Sequence, residues 1–396
     1  MLNEPIHVLG AGPIGLLWTA SIRSKFPTYP ITLLLRDHAR NRKRVTAAGG
    51  SGSGSKASTN RSQSNDHWLD ISWNNRNFSH AVHRNQQEQL SLPVQFIGDP
   101  QHEKERIQTL IVATKAHQAK NAVESVFERL LLPGMTGRIE HGDNEGDDKV
   151  DSASSSSSPT RIIVLCNGAL SVREELSKIL SQTQKMENIV SLDLATTTHG
   201  AYLSKPDGLV HAGVGTTFLE QHTTNGMVDL WNQAGLKCTS LRSQKLVSIL
   251  WNKLAANCVI NPLTSIFQCT NGELLLEPSF PEIREDILKE IADVAAGVAG
   301  TDAAAKEQQT ENCATTNVPT IDEMRDFVAK TIRDTENNKS SMYQDLIMGQ
   351  QQKTEIEHLN GYVVRKGKEM GIDCPTNEDL CSRIAELAFR NASRNR

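Results

Sequence analysis

Residues 6–18 read Ile-His-Val-Leu-Gly-Ala-Gly-Pro-Ile-Gly-Leu-Leu-Trp: a short apolar run, three closely spaced glycines and a second apolar run. Ile6–Leu9 predicts a buried strand and Ile14–Ser24 a helix. In the turn between them, the first glycine permits a tight bend, the second lets the backbone approach a pyrophosphate, and the third allows close helix–strand packing. The helix amino terminus also favours an anion. A generic glycine turn is the alternative, but the position between strand and helix predicts a dinucleotide site formed by Gly10, Ala11, Gly12, Pro13, Ile14 and Gly15.

The following part of the chain continues the strand–helix alternation. Apolar runs at Ile31–Leu35, Leu110–Thr114 and Arg161–Cys166 predict buried strands, and Gln118–Leu131 predicts a helix. Such alternation indicates a parallel sheet covered by helices on both faces. The Thr- and Gly-rich stretch Ile189–Glu220 predicts antiparallel strands at the edge of that sheet.

After about Ser243 only helical periodicity remains. The segments with this period are Lys245–Val259, Pro281–Val298, Thr320–Asp334, Thr354–Met370 and Glu378–Asn391. We therefore expect an α/β Rossmann-type dinucleotide-binding domain over residues 1–243, followed by an all-α C-terminal domain over residues 244–396. Polar segments near 46–66 and 140–160, and a weaker one at 304–318, are interpreted as surface insertions.

The composition argues against several classes of protein. With 42 basic and 46 acidic side chains, the formal net charge of −4 indicates neither a nucleic-acid partner nor an anionic membrane surface. No run approaches the roughly 18 apolar residues of a membrane span. The seven cysteines are scattered and form no C-x-x-C pair, so neither a disulfide framework nor a metal site is expected. A strand-like run close to the amino terminus leaves no room for a cleavable targeting peptide, which predicts a cytoplasmic protein, with a mitochondrial location as the alternative.

The end of the second predicted strand bears on the choice of cofactor. An NAD site commonly has Asp or Glu there to accept from the ribose 2′-hydroxyl, whereas this strand leads into Arg36, which can pair with a 2′-phosphate. Asp37, one residue later, is the objection to this interpretation. Further cations at residues 40 and 42–44 add positive charge, and NADP is favoured.

A stretch near residue 253 holds the first candidate catalytic residues. Lys253, Asn257 and Asn261 stand at i, i+4 and i+8, which places them on one stripe of a helix. Because the intervening residues are mostly apolar, these polar groups need partners or a ligand. The alternative is an exposed lysine with its stem packed along the surface, and a helix that ends at Asn261 before Pro262.

Two later segments add candidates. Thr354–Gly361 predicts the start of a helix with Glu355 in its first turn, where a carboxylate also complements the helix dipole. Asn338 and Ser341 offer amide and hydroxyl donors, although Ser340 or Ser341 could instead cap a helix. His117 and His199 are alternative proton donors, but histidines at the ends of elements are more often structural.

These residues together resemble the ketopantoate reductase (2-dehydropantoate 2-reductase) family. The glycine turn with Arg36 is one part of the resemblance, and the others follow in the family's order over nearly the whole chain. They are K-A-H-Q at 115–118, C-N-G at 166–168, T-T-T-H-G-A at 196–201, N-K-L-A-A-N-C-V-I-N-P-L-T at 252–264, S-S-M-Y-Q-D at 340–345 and T-E-I-E-H-L-N-G at 354–361.

The resemblance implies NADPH-dependent reduction of 2-dehydropantoate to (R)-pantoate in pantothenate biosynthesis, in a cleft between the two domains. The second domain would resemble the C-terminal domain of 6-phosphogluconate dehydrogenase. Lys253 matches the general acid and Glu355 the glutamate near the reacting oxygen. The residues that match substrate-binding positions of the family are Asn257, Asn261, Ser341 and Asn338. Lys115 and Asn167 match positions on the nicotinamide side of the cofactor.

Other functions remain alternatives at this stage. One is a related NADP-dependent 2-oxo or 3-hydroxy acid dehydrogenase, which would share the nucleotide site and differ in the polar groups of the helical domain. Another is a non-catalytic NADP-sensing protein, against which the presence of both Lys253 and Glu355 speaks. The sequence leaves the oligomeric state open, a homodimer being one alternative.

Overall fold

The computed structural model describes residues 4–37, 39–47, 67–75, 88–131, 159–182, 189–204, 208–221, 225–307, 318–349 and 353–394. The predicted insertions near 46–66, 140–160 and 304–318 lie largely outside these ranges. Within the described residues the strands are β1 (Ile6–Leu9), β2 (Ile31–Arg36), β3 (Val45–Ala47), β4 (His67–Asn75), β5 (Glu88–Ile97), β6 (Thr109–Val112), β7 (Thr160–Val164), β8 (Val190–Thr197), β9 (Gly200–Ser204), β10 (Gly208–Gly213), β11 (Thr217–Glu220) and β12 (Cys238–Leu241).

Helices follow the strands in the first half of the chain and replace them in the second. They are α1 (Pro13–Lys25), α2 (Ala39–Arg42), α3 (Ala116–Glu124), α4 (Ala169–Gln182), α5 (Asn225–Gln233), α6 (Ser243–Phe267), α7 (Phe280–Glu307), α8 (Ile321–Asp334), α9 (Ser341–Tyr343), α10 (Asn360–Met370) and α11 (Pro375–Arg394). Short 3₁₀ turns lie at Phe127–Leu130, Gly272–Leu276 and Ile356–His358, and a π turn at Gln344–Met348. No helix in the described ranges has the length and apolar character needed to cross a bilayer.

The chain divides into two compact units. The first unit contains residues 1–166 and 173–240, and the second contains residues 167–172 and 241–396. The first has the α/β sheet and the second has helices, which confirms the predicted fold class. Each unit has its own hydrophobic core: Trp18, Trp73 and Trp231 are among the largest buried side chains of the first, and Trp251 and Phe280 belong to the second.

The sheet of the first unit is mixed, with the order β12-β11-β8-β7-β6-β1-β2-β5-β4-β10-β9 and β3 paired to β4. Its centre, from β8 to β5, is parallel, as predicted from the continuous apolar strands. The prediction for Ile189–Glu220 was only partly right. β11 joins β8 antiparallel at one side, whereas β9 and β10 lie at the opposite side, where β10 is parallel to β4.

Three helix predictions need correction. The helix predicted over Gln118–Leu131 stops at Glu124 and gives way to a 3₁₀ turn. α6 does not end before Pro262 but continues to Phe267. The helix predicted over Thr354–Met370 begins only at Asn360, because Leu359, with φ −108° and ψ −100°, interrupts the helical backbone after the 3₁₀ turn.

Candidate active site

The glycine turn after β1 has the close contacts that its spacing predicts. Gly10 has φ +115°, and a Cβ there would lie 2.9 Å from the backbone nitrogen of Thr114. A Cβ on Gly15 would lie 2.0 Å from the carbonyl oxygen of Gly10. Side chains at these two positions would therefore collide with backbone, and both glycines are required by the fold itself.

Gly12 is different, because a Cβ there would meet only the Ala113 carbonyl oxygen, at 3.9 Å. Gly12 is the extended N-cap of α1, Pro13 occupies the first turn, and the first turn carries no acidic side chain. The first N–H groups of α1 and the positive end of its dipole therefore lie beside the space that a side chain at residue 12 would occupy. This arrangement fits a pyrophosphate.

Neighbouring parallel strands bring further candidates to the same edge of the sheet. Leu9 of β1 is in register with Leu34 of β2 and with Val112 of β6, so the residues that follow these strands share the edge at which the glycine turn lies. Arg36 ends β2, and Lys115 is the extended N-cap of α3 after β6. Both predicted cofactor residues thus lie in the first unit, Arg36 at the end of β2 and Lys115 shortly after β6, and these two strands are the neighbours of β1.

The side chains at the end of β2 differ in their partners. Arg42 donates to both carboxylate oxygens of Asp37, with two distances of 2.5 Å, and this pairing raises the pKa of Arg42. Arg36 is exposed, and its guanidinium makes no hydrogen bond or ion pair with a described residue. Asp37 is therefore held by a cation of its own chain, while Arg36 is available to an anion.

In the second unit, α6 carries the predicted polar stripe. Every residue from Leu254 to Ser265 is buried except Asn257, which is partly exposed. Lys253, one turn earlier, is also partly buried, and Asn261, one turn later, is 6 % exposed. A helix apolar on all sides is normally buried throughout. Here the burial is interrupted on the one stripe that holds a lysine and two amides, and the side-chain amides of Asn257 and Asn261 bind no other described residue.

Glu355 lies in the second unit, but its surroundings differ from the prediction. It precedes the 3₁₀ turn Ile356–His358 and is not in the first turn of a long helix. Its side chain is 7 % exposed and accepts a hydrogen bond from Nδ2 of Asn167 at 3.3 Å. Gly168, with φ +66°, permits this approach, since a Cβ there would lie 2.9 Å from the His358 carbonyl oxygen. The C-N-G and T-E-I-E-H-L-N-G motifs are therefore in contact, and Asn167 groups with the second unit.

The serines at the start of α9 have separate roles. Ser340 is buried, its hydroxyl accepts from the backbone N–H of Tyr343, and it lies 2.7 Å from the Thr264 hydroxyl of α6. Ser340 is thus the cap that the alternative interpretation allowed. Ser341 and Asn338 are exposed. The backbone at Asn338 is fixed, because its carbonyl oxygen accepts from the Asn271 N–H at 2.9 Å.

His199 has a structural environment in the first unit. It is buried, its Nε2 lies 2.9 Å from the Leu236 carbonyl oxygen, and its Nδ1 accepts from the Gly215 N–H at 3.1 Å and lies 2.9 Å from Nε2 of His211. These contacts require a neutral ring with its proton on Nε2. Burial lowers the pKa of His199, so the ring is a poor proton donor at neutral pH.

Several residues that shape the site were missed by the sequence analysis. Ser171, 1 % exposed, lies 3.1 Å from Nδ1 of His358 and accepts from Arg365, which also donates to the Glu357 carbonyl oxygen. Asn360, fully buried, donates to the Cys258 carbonyl oxygen of α6. The signal for Asn360 was the proline within a helical pattern, which leaves a carbonyl without its helical donor. No comparable signal identified Ser171.

Known protein families match both halves of the chain. Residues 6–135 match the family described as "Ketopantoate reductase PanE/ApbA", and residues 245–388 match its "C terminal" part. The chain belongs to the ketopantoate reductase family. Its resemblance to that family in sequence is thereby confirmed.

Curated relatives carry the name of this family's enzyme. The chain is 36 % identical to "2-dehydropantoate 2-reductase" of Vibrio cholerae over 198 residues, which are 49 % of this chain and 60 % of that protein. It is 30 % identical to the Shigella flexneri protein of the same name, over 62 % of this chain and 70 % of that protein. The chain thus spans 60 % or less of the length of the first two relatives it matches.

Solved structures of ketopantoate reductases share the fold. A PanE/ApbA family ketopantoate reductase from Ralstonia eutropha is similar with a TM-score of 0.68 and 17 % identity, over 98 % of this chain and 100 % of that chain. D-mandelate dehydrogenase with NADH and anilino(oxo)acetate is similar with a TM-score of 0.65 and 17 % identity, over 98 % of this chain and 99 % of that chain. At this identity the likeness concerns the fold alone.

Proposed function

We propose that this chain reduces 2-dehydropantoate to (R)-pantoate with NADPH, a step of pantothenate biosynthesis. The observation that carries the proposal is the polar stripe Lys253–Asn257–Asn261 on α6, where Asn257 is the one partly exposed residue in the buried stretch from Leu254 to Ser265. Membership of the ketopantoate reductase family and the names of the curated relatives support the choice of substrate.

The reaction requires a proton as well as a hydride. When bound, the reduced nicotinamide supplies a hydride to the ketone carbon, and negative charge then develops on the ketone oxygen. Lys253 is the proton donor to that oxygen, so the lysine leaves the step as the neutral amine. A partly buried ammonium also stabilises the developing charge better than one in bulk water would. Glu355, buried and held by Asn167, orients the groups around the reacting oxygen.

The substrate carboxylate and hydroxyl groups need neutral hydrogen-bonding partners. Asn257 and Asn261 present side-chain amides on the same stripe as Lys253, and these amides bind no other described residue. Ser341 and Asn338 add an exposed hydroxyl and amide on a backbone that is fixed by Ser340 and Asn271. These residues make up the proposed substrate-binding set.

The preference for NADPH rests on the end of β2. The exposed Arg36 suits a 2′-phosphate, whereas the Asp37 carboxylate, which would accept from a 2′-hydroxyl in an NAD site, is already paired with Arg42. Gly10, Ala11, Gly12, Pro13, Ile14 and Gly15 would hold the pyrophosphate at the start of α1, and Lys115 would contact the nicotinamide side. Asn167 is proposed to contact the nicotinamide side as well, with its side chain held by the hydrogen bond that its Nδ2 donates to Glu355.

A second candidate is reduction of another 2-oxo acid with NADH. The solved D-mandelate dehydrogenase with NADH has a similar fold over nearly the whole chain, which is the observation in its favour. Only the direct comparison of substrates and cofactors separates the two candidates.

The test is an assay of cofactor oxidation by the purified protein. The reaction is monitored as the loss of reduced-nicotinamide absorbance. 2-Dehydropantoate, 2-oxoisovalerate and pyruvate are compared, each with NADPH and with NADH. We expect kcat/KM to be at least about 100-fold higher for 2-dehydropantoate with NADPH than for any other combination. Equal or faster turnover of pyruvate or 2-oxoisovalerate would refute the substrate assignment, and a preference for NADH would refute the cofactor assignment.

A further inference from the structure

Pro262 leaves one carbonyl of α6 without its helical donor. In an α-helix the N–H of residue i binds the carbonyl oxygen of residue i−4, so the missing N–H of Pro262 would have served Cys258. Proline also disfavours the helical conformation of the residue before it, which here is Asn261. The turn that carries two of the proposed substrate amides is therefore the turn that local sequence supports least.

Asn360 supplies the missing donor from another helix. Its Nδ2 lies 3.0 Å from the Cys258 carbonyl oxygen, and its side chain is fully buried at the start of α10. The nearby carbonyls of Ile260 and Asn261 receive donors from α6 itself, through the hydroxyls of Thr264 and Ser265. Around the proline, the Cys258 carbonyl is thus held by a side chain from a different part of the chain, 102 residues away.

The orientation of the Asn360 amide is fixed by a buried chain of hydrogen bonds. Nδ2 of Asn360 also donates to Oδ1 of Asn377 at 2.9 Å, and Nδ2 of Asn377 donates to Glu290 at 2.7 Å. The Glu290 carboxylate accepts two more bonds, from the backbone N–H groups of Thr376 and Asn377 at the start of α11. Because a carboxylate and a carbonyl only accept, both ends of the chain require the Asn360 amino group to point at Cys258.

The side-chain oxygen of Asn360, unlike its amino group, has no hydrogen-bonding partner among the described residues. This oxygen, Oδ1, is buried. A buried acceptor without a partner is unfavourable, so the amide is kept for its two donors and not for its acceptor.

From this geometry we infer that Asn360 is a positioning residue for the proposed substrate-binding stripe: its amide replaces the N–H that Pro262 lacks and holds the Asn257–Asn261 turn of α6 in a defined position. It touches neither substrate nor cofactor and acts through the Cys258 carbonyl. The link to catalysis rests on the proposed function, whereas the hydrogen-bond replacement can be tested without a substrate.

The test is a double-mutant cycle with Asn360→Leu and Pro262→Ala in the full-length chain. The Pro262→Ala substitution restores the backbone donor to Cys258, so the bond from Asn360 to Cys258 should then become dispensable, whereas the bond from Asn360 to Asn377 is lost in both backgrounds. We expect Asn360→Leu to lower the thermal midpoint of the second unit by about 5 °C with Pro262 present, and by less than about half of that in the Pro262→Ala background. Equal losses in the two backgrounds would overturn the inference, since Asn360 would then act independently of the missing N–H.

The kinetic arm tests positioning. With Pro262, Asn360→Leu should reduce kcat/KM for 2-dehydropantoate by roughly 10-fold and leave the Kd of NADPH within about 2-fold. In the Pro262→Ala background, the same substitution should reduce kcat/KM by less than about 3-fold. A loss of NADPH affinity as large as the loss of kcat/KM would contradict a role confined to the stripe. If the wild-type chain does not turn over 2-dehydropantoate, the proposed function fails, and the thermal cycle still decides the inference.

Asn391→Leu is the matched control. Asn391 also donates its amide to a backbone carbonyl of the second unit, that of Leu346, at 2.7 Å, but no proline lies four residues beyond Leu346. Its substitution should have the same effect with Pro262 as in the Pro262→Ala background. Asn360→Leu protein that is insoluble with Pro262 but soluble together with Pro262→Ala would support the inference, and insolubility in both backgrounds would count against it.

Discussion

Acidification should destabilise the first unit through its buried histidines, and the pKa shifts of two of them are large enough to set a magnitude. His7 of β1 and His211 of β10 are 5 % and 3 % exposed. Burial lowers the pKa of each to about 4, with a smaller contribution from Arg129 for His7 and from His199 for His211. Both side chains are therefore neutral in the folded protein at a pH where they are largely protonated in the unfolded chain.

The pKa difference sets the size and the sign of the effect. The pKa of each histidine falls from the ordinary value of 6.5 to about 4 on folding. At 1.36 kcal/mol per pKa unit, this difference of about 2.5 corresponds to about 3 kcal/mol for each histidine. Between these values the unfolded chain binds protons that the folded chain does not, so the free energy of unfolding falls as the pH falls. The stability is complete above about pH 6.5 and is lost progressively toward about pH 4; at pH 5 the expected loss is about 2 kcal/mol for each histidine.

Urea unfolding followed by tryptophan fluorescence measures this loss. The buried Trp18 ring lies 6.0 Å from that of His199, and the Trp73 ring 6.4 Å from that of His211. Four of the five tryptophans belong to the first unit, and Trp251→Phe removes the contribution of the second, so that the remaining signal reports the first unit.

We expect the free energy of unfolding to fall by at least about 4 kcal/mol between about pH 7.5 and about pH 5, because burial also lowers the pKa of His199 and adds to the loss from His7 and His211. His211→Gln should reduce that pH dependence by about 2 kcal/mol. An unfolding free energy that is the same at both pH values, or a His211→Gln protein that keeps the full dependence, would refute the reasoning.

Three further substitutions test the proposed site. Lys253→Ala should lower kcat by roughly 10²- to 10⁴-fold with little change in the Kd of NADPH, while Lys245→Ala, which removes an exposed lysine from the same helix, should retain wild-type turnover in the same assay. Arg36→Ala should weaken NADPH by roughly 10-fold or more and NADH by less than about 2-fold in fluorescence titrations; equal effects would exclude a contact with the 2′-phosphate. Gly168→Ala should lower the thermal midpoint and kcat/KM together, because its Cβ would meet His358. Gly98→Ala is the control with φ +84° and open space, and an equal loss there would show that backbone strain alone is responsible.

The parts of the fold that local chemistry decides could be predicted from the sequence. The strand–turn–helix at Ile6–Lys25 follows from glycine spacing and apolar runs, and the helices after Ser243 follow from their period. The position of β9 and β10 could not be predicted in this way. Their pairing with each other is local, but the pairing of β10 with β4 joins segments that are far apart in the chain, as with Gly208 and Ser72, and no periodicity encodes it.

The candidate site shows the same division. The stripe on α6 was predictable, because spacing along one helix determines which side chains share a face. The interruption at Leu359 was not, since the backbone around it is fixed by remote partners: His358 lies against Ser171, and Asn360 binds the Cys258 carbonyl. The intrinsic helical preference of Thr354–Met370 is overridden by these contacts. Sequence reasoning also could not show that Arg42 pairs with Asp37, because the orientation of an exposed side chain has no pattern in the sequence.

The three glycines after β1 are required for two different reasons, although they lie within six residues. Gly10 and Gly15 face their own backbone, so losing either damages the architecture before any ligand is considered. A methyl group on Gly12 would make only an ordinary contact with the Ala113 carbonyl oxygen, at 3.9 Å, and would otherwise stand in the way of an incoming molecule. Substitution of Gly12 should therefore give a protein that folds but does not bind the nucleotide, and such a protein could serve as an inactive control in cells. Substitution of Gly10 or Gly15 would instead disturb the fold.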